Sequence, residues 1–573
     1  MKKIFISLAL VLTLFRSYAD EGMWLPMLLG QQVYNDMVKR GLKLKPEQLY
    51  SINKSSIKDA IIIFGGGCTG EIVSDQGLIF TNHHCGYGAI AAASSTQNNY
   101  LQDGFWASDK SKEISSNLSV KFLNRIEDVS TKVLAALAES QGAERAQKYA
   151  KVMGEIIKEV VGSDEYKDAV VASMFKGNQF FLFVYDVYKD IRLVGNPPES
   201  IGKFGGDTDN WEWPRHTADF TVFRVYADAA GNPAEYSPSN TPLKPKHFLP
   251  VSLKGIKPGD FSMILGYPGR TNRYLTSYGV EQAISLEQPK IVDVRAMKLA
   301  IMKKYMDKDQ AVKINYASKY SQVANYWKNR QGMIDALTLH KTAVTKAQDE
   351  AKFNKWANKK ENKAKYGNVI SDINAYYKLT NEKARHDNYL MTMIRTSSFT
   401  VVSRTLGKRL KNYASADEDV RKVMKPEVEE EIKSFYKEVY LPAEKEILTK
   451  QIALYTNKAG YEMAPLLVEV SKKAKGDFAP YVHNLFELSL FGKEESLLKF
   501  LDMPDLKTLE NDDLYKFSEA MIAHYYHKSA EVEKAEEKFS KAFRLLVEGL
   551  RESKLSTIQY PDANSTLRLT YGK

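Results

Sequence analysis

Gly65-Gly66-Gly67-Cys68-Thr69-Gly70, the short strand pattern Glu71–Val73, and then Leu78-Ile79-Phe80-Thr81-Asn82-His83-His84-Cys85-Gly86 set a histidine beside a cysteine, with the chain's other cysteine 17 residues upstream. The apolar residues between the cysteines read as strand. A histidine working as a general base must keep one rotamer and one tautomer, so its backbone is best tied to a rigid element. A Cys68–Cys85 disulfide would be such a tie, and closing a loop of this length is worth roughly 3 kcal/mol in the chain-entropy account. The glycines let backbone pass close to its neighbours and take positive φ without a Cβ penalty. The same residues also allow a blander reading, two buried free thiols beside an ordinary loop histidine.

Outward from this stretch, the chain of 573 residues is too long for one compact core, so two or more domains are expected. Residues 1–19 read as a secretory signal peptide: Lys2 and Lys3 precede the apolar run Ile4–Phe15, and Ser17-Tyr18-Ala19 offers a small-x-small cleavage site before Asp20. That run is too short to span a bilayer, no later segment is long and apolar enough, and no cysteine near the cut suggests a lipid anchor. An exported, soluble chain is therefore expected, in a compartment where a disulfide persists. Loss of Lys2, Lys3 and Arg16 would lower the net charge from +11 by three, and the remaining lysines are scattered among acids, as at Glu427–Glu431 beside Lys433 and Lys437. Such interleaving describes a solvated surface, and with no nucleic-acid-binding motif, nucleic acid is not an expected partner; weak attraction to acidic peptides or surfaces stays open.

Composition changes near residue 280. Of the 33 glycines, 25 lie at or before Gly279, so the first half is turn-rich. Its apolar segments are short and β-branched or aromatic (Ile61–Phe64, Leu78–Thr81, Phe180–Tyr185, Phe220–Tyr226, Phe261–Leu265), as strands of a barrel or sandwich are. One helical insertion is predicted between Asp128 and Val161 from the spacing of Val133, Leu134, Leu137, Met153, Ile156 and Val160. Between Pro289 and Pro426 there is no proline, and only Gly332, Gly367 and Gly407 interrupt Ala-, Lys-, Gln- and Met-rich sequence, which predicts long helices continuing to about Lys554. Strand alternation returns in Ser556–Pro561 and Ser565–Gly572. The expected architecture is multidomain α+β: a signal peptide over 1–19, a β-rich unit over 20–279, a helical unit over 280–555, and over 556–573 a strand that starts a further β unit.

A second constellation lies at Gly202-Lys203-Phe204-Gly205-Gly206-Asp207-Thr208-Asp209-Asn210-Trp211-Glu212-Trp213-Pro214-Arg215-His216-Thr217-Ala218-Asp219-Phe220. Loops this dense in glycine, tryptophan and polar side chains commonly hold a ligand. Asp219, at the start of a predicted strand, is placed to accept from the Nδ1–H of His84 and to stabilise an imidazolium. Asn210 offers a directed carbonyl oxygen and Trp211 a rigid wall, together a receptor for a peptide's ammonium terminus. The plain alternatives are a turn or capping role for Asp219 and core packing for at least one of Trp211 and Trp213. A metal site from His83, His84 and His216 is disfavoured, because adjacent histidines in a strand point apart and no acidic ligand has a suitable spacing.

Asp20-Glu21-Gly22-Met23-Trp24, Thr81-Asn82-His83-His84-Cys85, Gly205-Gly206-Asp207-Thr208-Asp209-Asn210-Trp211 and Gly266-Tyr267-Pro268-Gly269-Arg270-Thr271-Asn272-Arg273 together resemble the dipeptidyl-peptidase 7/11 family of Gram-negative bacteria. The resemblance runs over the whole chain. It implies a chymotrypsin-like double β-barrel split by a large helical domain that caps the cleft and limits cleavage to N-terminal dipeptides. Carried onto this sequence, it implies His84 as general base with His83 as the rival, Asp219 as the orienting carboxylate, and Asn210 with Trp211 at the substrate's N-terminus. The resemblance also implies that Asn325, in Ala324-Asn325-Tyr326-Trp327, is the helical domain's share of that clamp. The resemblance further implies oligopeptide partners with a free N-terminus, no cofactor, a homodimer, and a periplasmic or surface location. One departure matters: the family's serine, in a Gly-Asn-Ser-Gly-Ser-like loop of the second barrel, has no counterpart here. The sequence-based expectation is accordingly a serine-type dipeptidyl-peptidase whose chain stops as the second barrel begins, without nucleophile or turnover. The alternative is a non-catalytic peptide-binding or scaffold protein that keeps the clamp.

Overall fold

The computed structural model describes residues 22–573 apart from Asp207 and Thr557, so the predicted signal peptide lies outside the described residues. Eleven strands form one antiparallel sheet: β1 Ile61–Phe64, β2 Cys68–Ile72, β3 Leu78–Thr81, β4 Phe105–Trp106, β5 Ile114–Ser116, β6 Val120–Asp128, β7 Lys167–Met174, β8 Gln179–Tyr188, β9 Ile191–Asn196, β10 Thr221–Ala227 and β11 Thr241–Pro242. Their order is β4-β9-β10-β3-β2-β1-β6-β8-β7, with β11 beside β10 and β5 beside β9. Two of the expected strands coincide with β1 and β3; Phe180–Tyr185 falls within β8, and Phe220–Tyr226 is displaced by one residue in β10.

β8 explains why an antiparallel strand reads as a continuous apolar run. Phe181, Phe183 and Tyr185 face a core shared with Phe353, Tyr366, Ile373, Phe543 and Leu546 from the helical half. The alternate residues Phe180, Leu182 and Val184 face a second core with Val133, Leu137, Val152 and Ile156. Both faces of the strand are covered, so both registers must be apolar, and each fully buried side chain contributes about 1.5–3 kcal/mol relative to exposure. The second core is the predicted insertion, resolved as two helices, Ser130–Leu137 and Gly142–Val161.

From Ser277 to Glu552 the described chain is helical, and its own core gathers Leu390, Ile394, Phe399, Leu406, Ile452, Phe486 and Phe517. The helix Gln310–Leu339 starts at Asp309, whose carboxylate accepts from the backbone of Ala311 and Val312, satisfying donors that a helix start leaves open. Pro426 lies inside the helix Glu418–Lys437. The tail does return to strand: β13, Arg568–Gly572, pairs antiparallel with β12, Ser262–Gly266, and Leu569 exchanges backbone hydrogen bonds of 2.8 and 2.9 Å with Trp24. The last residues therefore pair with the first half of the chain. No helix among the described residues is long and apolar enough to cross a membrane.

Candidate active site

Strand register brings the two constellations together. β3 and β10 pair antiparallel with Thr81 opposite Thr221. The chain leaving β3 at Asn82 and the chain entering β10 at Asp219 thus meet at one end of the sheet. Thr81 fixes that end by donating to the carbonyl of Thr69 at 2.8 Å. The histidine pair is not in a strand, as the sequence suggested. Asn82 is the N-cap of the helix His83–Ala93, so both histidines occupy its first turn. Cys68 and Cys85 are joined as a disulfide that ties β2 to the same turn, and among the described residues no cysteine is free.

Asp219 holds His84 twice: its Oδ1 accepts from the backbone N–H of His84 at 3.0 Å, and its Oδ2 lies 2.8 Å from Nδ1. The Asn82 amide adds donors at 3.2 Å to the Asp219 carbonyl and 3.3 Å to Oδ2. A carboxylate facing Nδ1 fixes the proton there and leaves the Nε2 lone pair free. The His84 side chain is 59% exposed, so that lone pair reaches the cleft. Burial on its own would raise the Asp219 carboxyl, but the hydrogen bonds and charge of His84, with a smaller share from His83, outweigh it and hold Asp219 below the usual carboxylate range.

His83 is turned the other way. It is buried, with its ring edge-on to Tyr87 at 5.6 Å and packed so closely on Gly202 that a Cβ there would fall 2.6 Å from Cδ2. Desolvation lowers its pKa against the pull of Asp219 and Glu199, and its Nε2 has no hydrogen-bond partner among the described residues. Of the two histidines, His84 alone presents an oriented, accessible imidazole. The sulfur atoms near His84 are bonded to each other and offer no thiolate to a metal, and burial of His83 separates it from a joint site.

Across a cavity of about 140 Å³ from His84 stand Asn210 and Asn325. The Asn210 amide donates to Asn325 Oδ1 at 3.0 Å, and Trp211 Nε1 donates to the same oxygen at 2.9 Å and to the Asn325 carbonyl at 3.2 Å. Lys328, three residues further along the helix, pairs with Glu212 at 2.9 Å. The Gly202–Phe220 loop is thereby fastened to the helix Gln310–Leu339, and Asn210, Trp211 and Asn325 form one cluster. Trp211 and Trp213 are both exposed, so neither takes the core role considered for them. Arg215, which donates to Asn210 Oδ1 at 3.1 Å and to the Gly206 carbonyl at 3.2 Å, was not singled out from sequence, nor was Ser321 on the cavity wall. Ser321 sits one turn before Asn325, and that i, i+4 spacing was the available signal. Among the described residues no serine hydroxyl bonds to His84, and the sequence contains no Gly-x-Ser. Chemically, the cleft offers a proton acceptor at Nε2 and, opposite it, the side-chain oxygens of Asn210 and Asn325.

Residues 19–573 match the Peptidase S46 family. The chain is 46% identical over 557 residues to dipeptidyl-peptidase 7 of Capnocytophaga gingivalis, covering 97% of this chain and 77% of that protein. It is 38% identical to the Asp/Glu-specific dipeptidyl-peptidase of Capnocytophaga gingivalis, covering 100% of this chain and 81% of that one. Its fold is similar to the crystal structure of Porphyromonas endodontalis DPP11 in complex with the dipeptide Arg-Glu: TM-score 0.84 and 31% identity, over 97% of this chain and 80% of that one.

Proposed function

The chain belongs to the Peptidase S46 family, and from that premise we propose that its cleft serves a serine-type dipeptidyl-peptidase that releases dipeptides from the free N-terminus of peptides. His84 is the general base and later the general acid, acting through Nε2. Asp219 holds the tautomer and stabilises the imidazolium as the proton arrives. Asn210, Trp211 and Asn325 receive the ammonium group, so only a bond a fixed distance from the N-terminus can lie beside His84. The β-rich unit is the first part of a chymotrypsin-like barrel pair, and the helical unit, through Asn325, is the cap that closes the clamp. The disulfide fits an exported location in an oxidising compartment.

The observation that carries this reading is the 2.8 Å His84–Asp219 pair facing an asparagine cluster across one small cavity. The reading calls for a serine nucleophile, and among the described residues no serine hydroxyl is bonded to His84. Ser321 lies within a helix, where no free backbone N–H groups can form an oxyanion hole beside it. The cleft is thus expected to bind peptides with a free N-terminus, and turnover requires a serine hydroxyl brought to Nε2 of His84. A second reading, a peptide-binding protein without hydrolysis, draws on the same lack of a serine bonded to His84. Incubating the purified chain with a dipeptidyl chromogenic substrate and its N-acetylated form tests both. Hydrolysis lost in His84→Ala would make a serine of this chain the nucleophile, and equal affinity for the free-amine and N-acetylated forms, read by isothermal titration, would refute the clamp.

A further inference from the structure

Away from the cleft, a cavity of about 610 Å³ opens between the first turns of the helix Gly142–Val161, the β7–β8 turn and the helix Ala530–Glu552. It shares no lining residue with the peptide cleft, and its volume falls in the range of small-molecule sites. Leu137, Tyr149 and Phe180 give it an apolar wall, and Arg145 and Arg544 line it from the two helices. Arg145 donates to the Leu137 carbonyl at 2.8 Å, which orients the guanidinium without neutralising it. Neither arginine has a carboxylate at ion-pair distance among the described residues. Burial pulls both below the ordinary arginine pKa, and for Arg544 the charge of Arg145 adds to the effect.

The other charges on the wall do not cancel this pair. Lys176 is bonded to Asp562 at 3.1 Å, and Glu536 is bonded to Lys528. Glu537 lies over the start of the helix Gly142–Val161, where a Cβ on Gly142 would fall 1.5 Å from its Oε1, so its charge is directed at the helix dipole. Glu533 and Lys541 offset each other in sign. What remains is two like charges drawn together at partly buried positions beside an apolar wall, an arrangement that an anion between them would stabilise.

We propose that this cavity binds a small organic anion, a carboxylate or phosphate ester carried on an apolar body, with Arg145 and Arg544 as its paired donors. The test is isothermal titration of the whole chain with benzoate, phenyl phosphate and neutral benzamide. Saturable binding of an anion is expected, with none of benzamide, and whether benzoate or phenyl phosphate binds separates carboxylate from phosphate recognition. Arg544→Gln and Arg145→Gln should each weaken it roughly tenfold or more, as loss of a charge-assisted hydrogen bond does, whereas His84→Ala should leave it intact. Absence of saturable binding, equal binding of benzamide, loss in His84→Ala, or unchanged affinity in both arginine variants would overturn the proposal. Should a variant fail to fold, the anion-against-benzamide comparison still decides it.

Discussion

Replacing Asn325 by alanine removes the side-chain oxygen on which the loop and the helix converge. The Asn210 amide at 3.0 Å and the Trp211 indole N–H at 2.9 Å both lose their shared acceptor, and only the 3.2 Å bond from Trp211 to the Asn325 carbonyl remains. Both donors sit at exposed positions where water can replace the lost partner, so the change should cost stability no more than about 0.5–1.5 kcal/mol per bond. Its effect on ligand binding is larger, because an ammonium group loses a charge-assisted contact worth about 1.5–3 kcal/mol. That corresponds to roughly a 10- to 100-fold loss in affinity. Titrating wild type and Asn325→Ala with a tripeptide and its N-acetyl form isolates the term, since acetylation removes the charge while leaving the rest of the peptide. Wild type should prefer the free amine, and the variant should lose most of that preference while binding the acetylated form unchanged. If Asn325→Ala keeps the full preference, the ammonium group does not bind at this cluster.

Three further outcomes follow from the same geometry. Cys68→Ser with Cys85→Ser should lower stability by roughly 3 kcal/mol in denaturant unfolding, the value of closing a loop of this size; no change would mean that the tie between β2 and the His84 turn carries no energy. Because Asp219 is held below its ordinary value, its contribution to stability should be complete above the unfolded carboxyl pKa of about 3.9 and fade as the pH falls through the lower folded value. Asp219→Asn should abolish that acid-side component in unfolding curves recorded against pH, and an identical acid limb in both proteins would count against the His84–Asp219 pair. Gly202→Ala sets a Cβ 2.6 Å from the buried His83 ring, an overpacking cost of about 1–3 kcal/mol, and should loosen the loop carrying Asn210; a calorimetric melt and the free-amine preference, both unchanged, would contradict this.

The site was legible where chemistry is local and illegible where it depends on what covers a residue. Ile61–Phe64 and Leu78–Thr81 were readable as strands because they are short β-branched or aromatic runs ending at glycines or at the Asn82 cap. His84, Asp219, Asn210, Trp211 and Asn325 all lie at or beside the one cleft. The histidine pair reads as strand because the apolar run Leu78–Thr81 leads straight into it, whereas the helix that starts after Asn82 is held at its first turn by Asp219, far along the chain. That β8 needs both faces apolar depends on two separate helix groups converging on it, which no window of sequence reports. Ser321 joins the cavity because the helix Gln310–Leu339 lies against the loop, and Arg215 because the loop folds back on Asn210 and Gly206.

The most direct test of the proposed role is a crystal structure of this chain soaked with a dipeptide bearing a free amine. The account predicts the ammonium nitrogen within hydrogen-bond distance of Asn210 Oδ1 and the Asn325 oxygens, with the dipeptide's carboxyl end directed toward His84 Nε2. A dipeptide bound with its polarity reversed, or lodged away from the Asn210–Asn325 cluster, would contradict it.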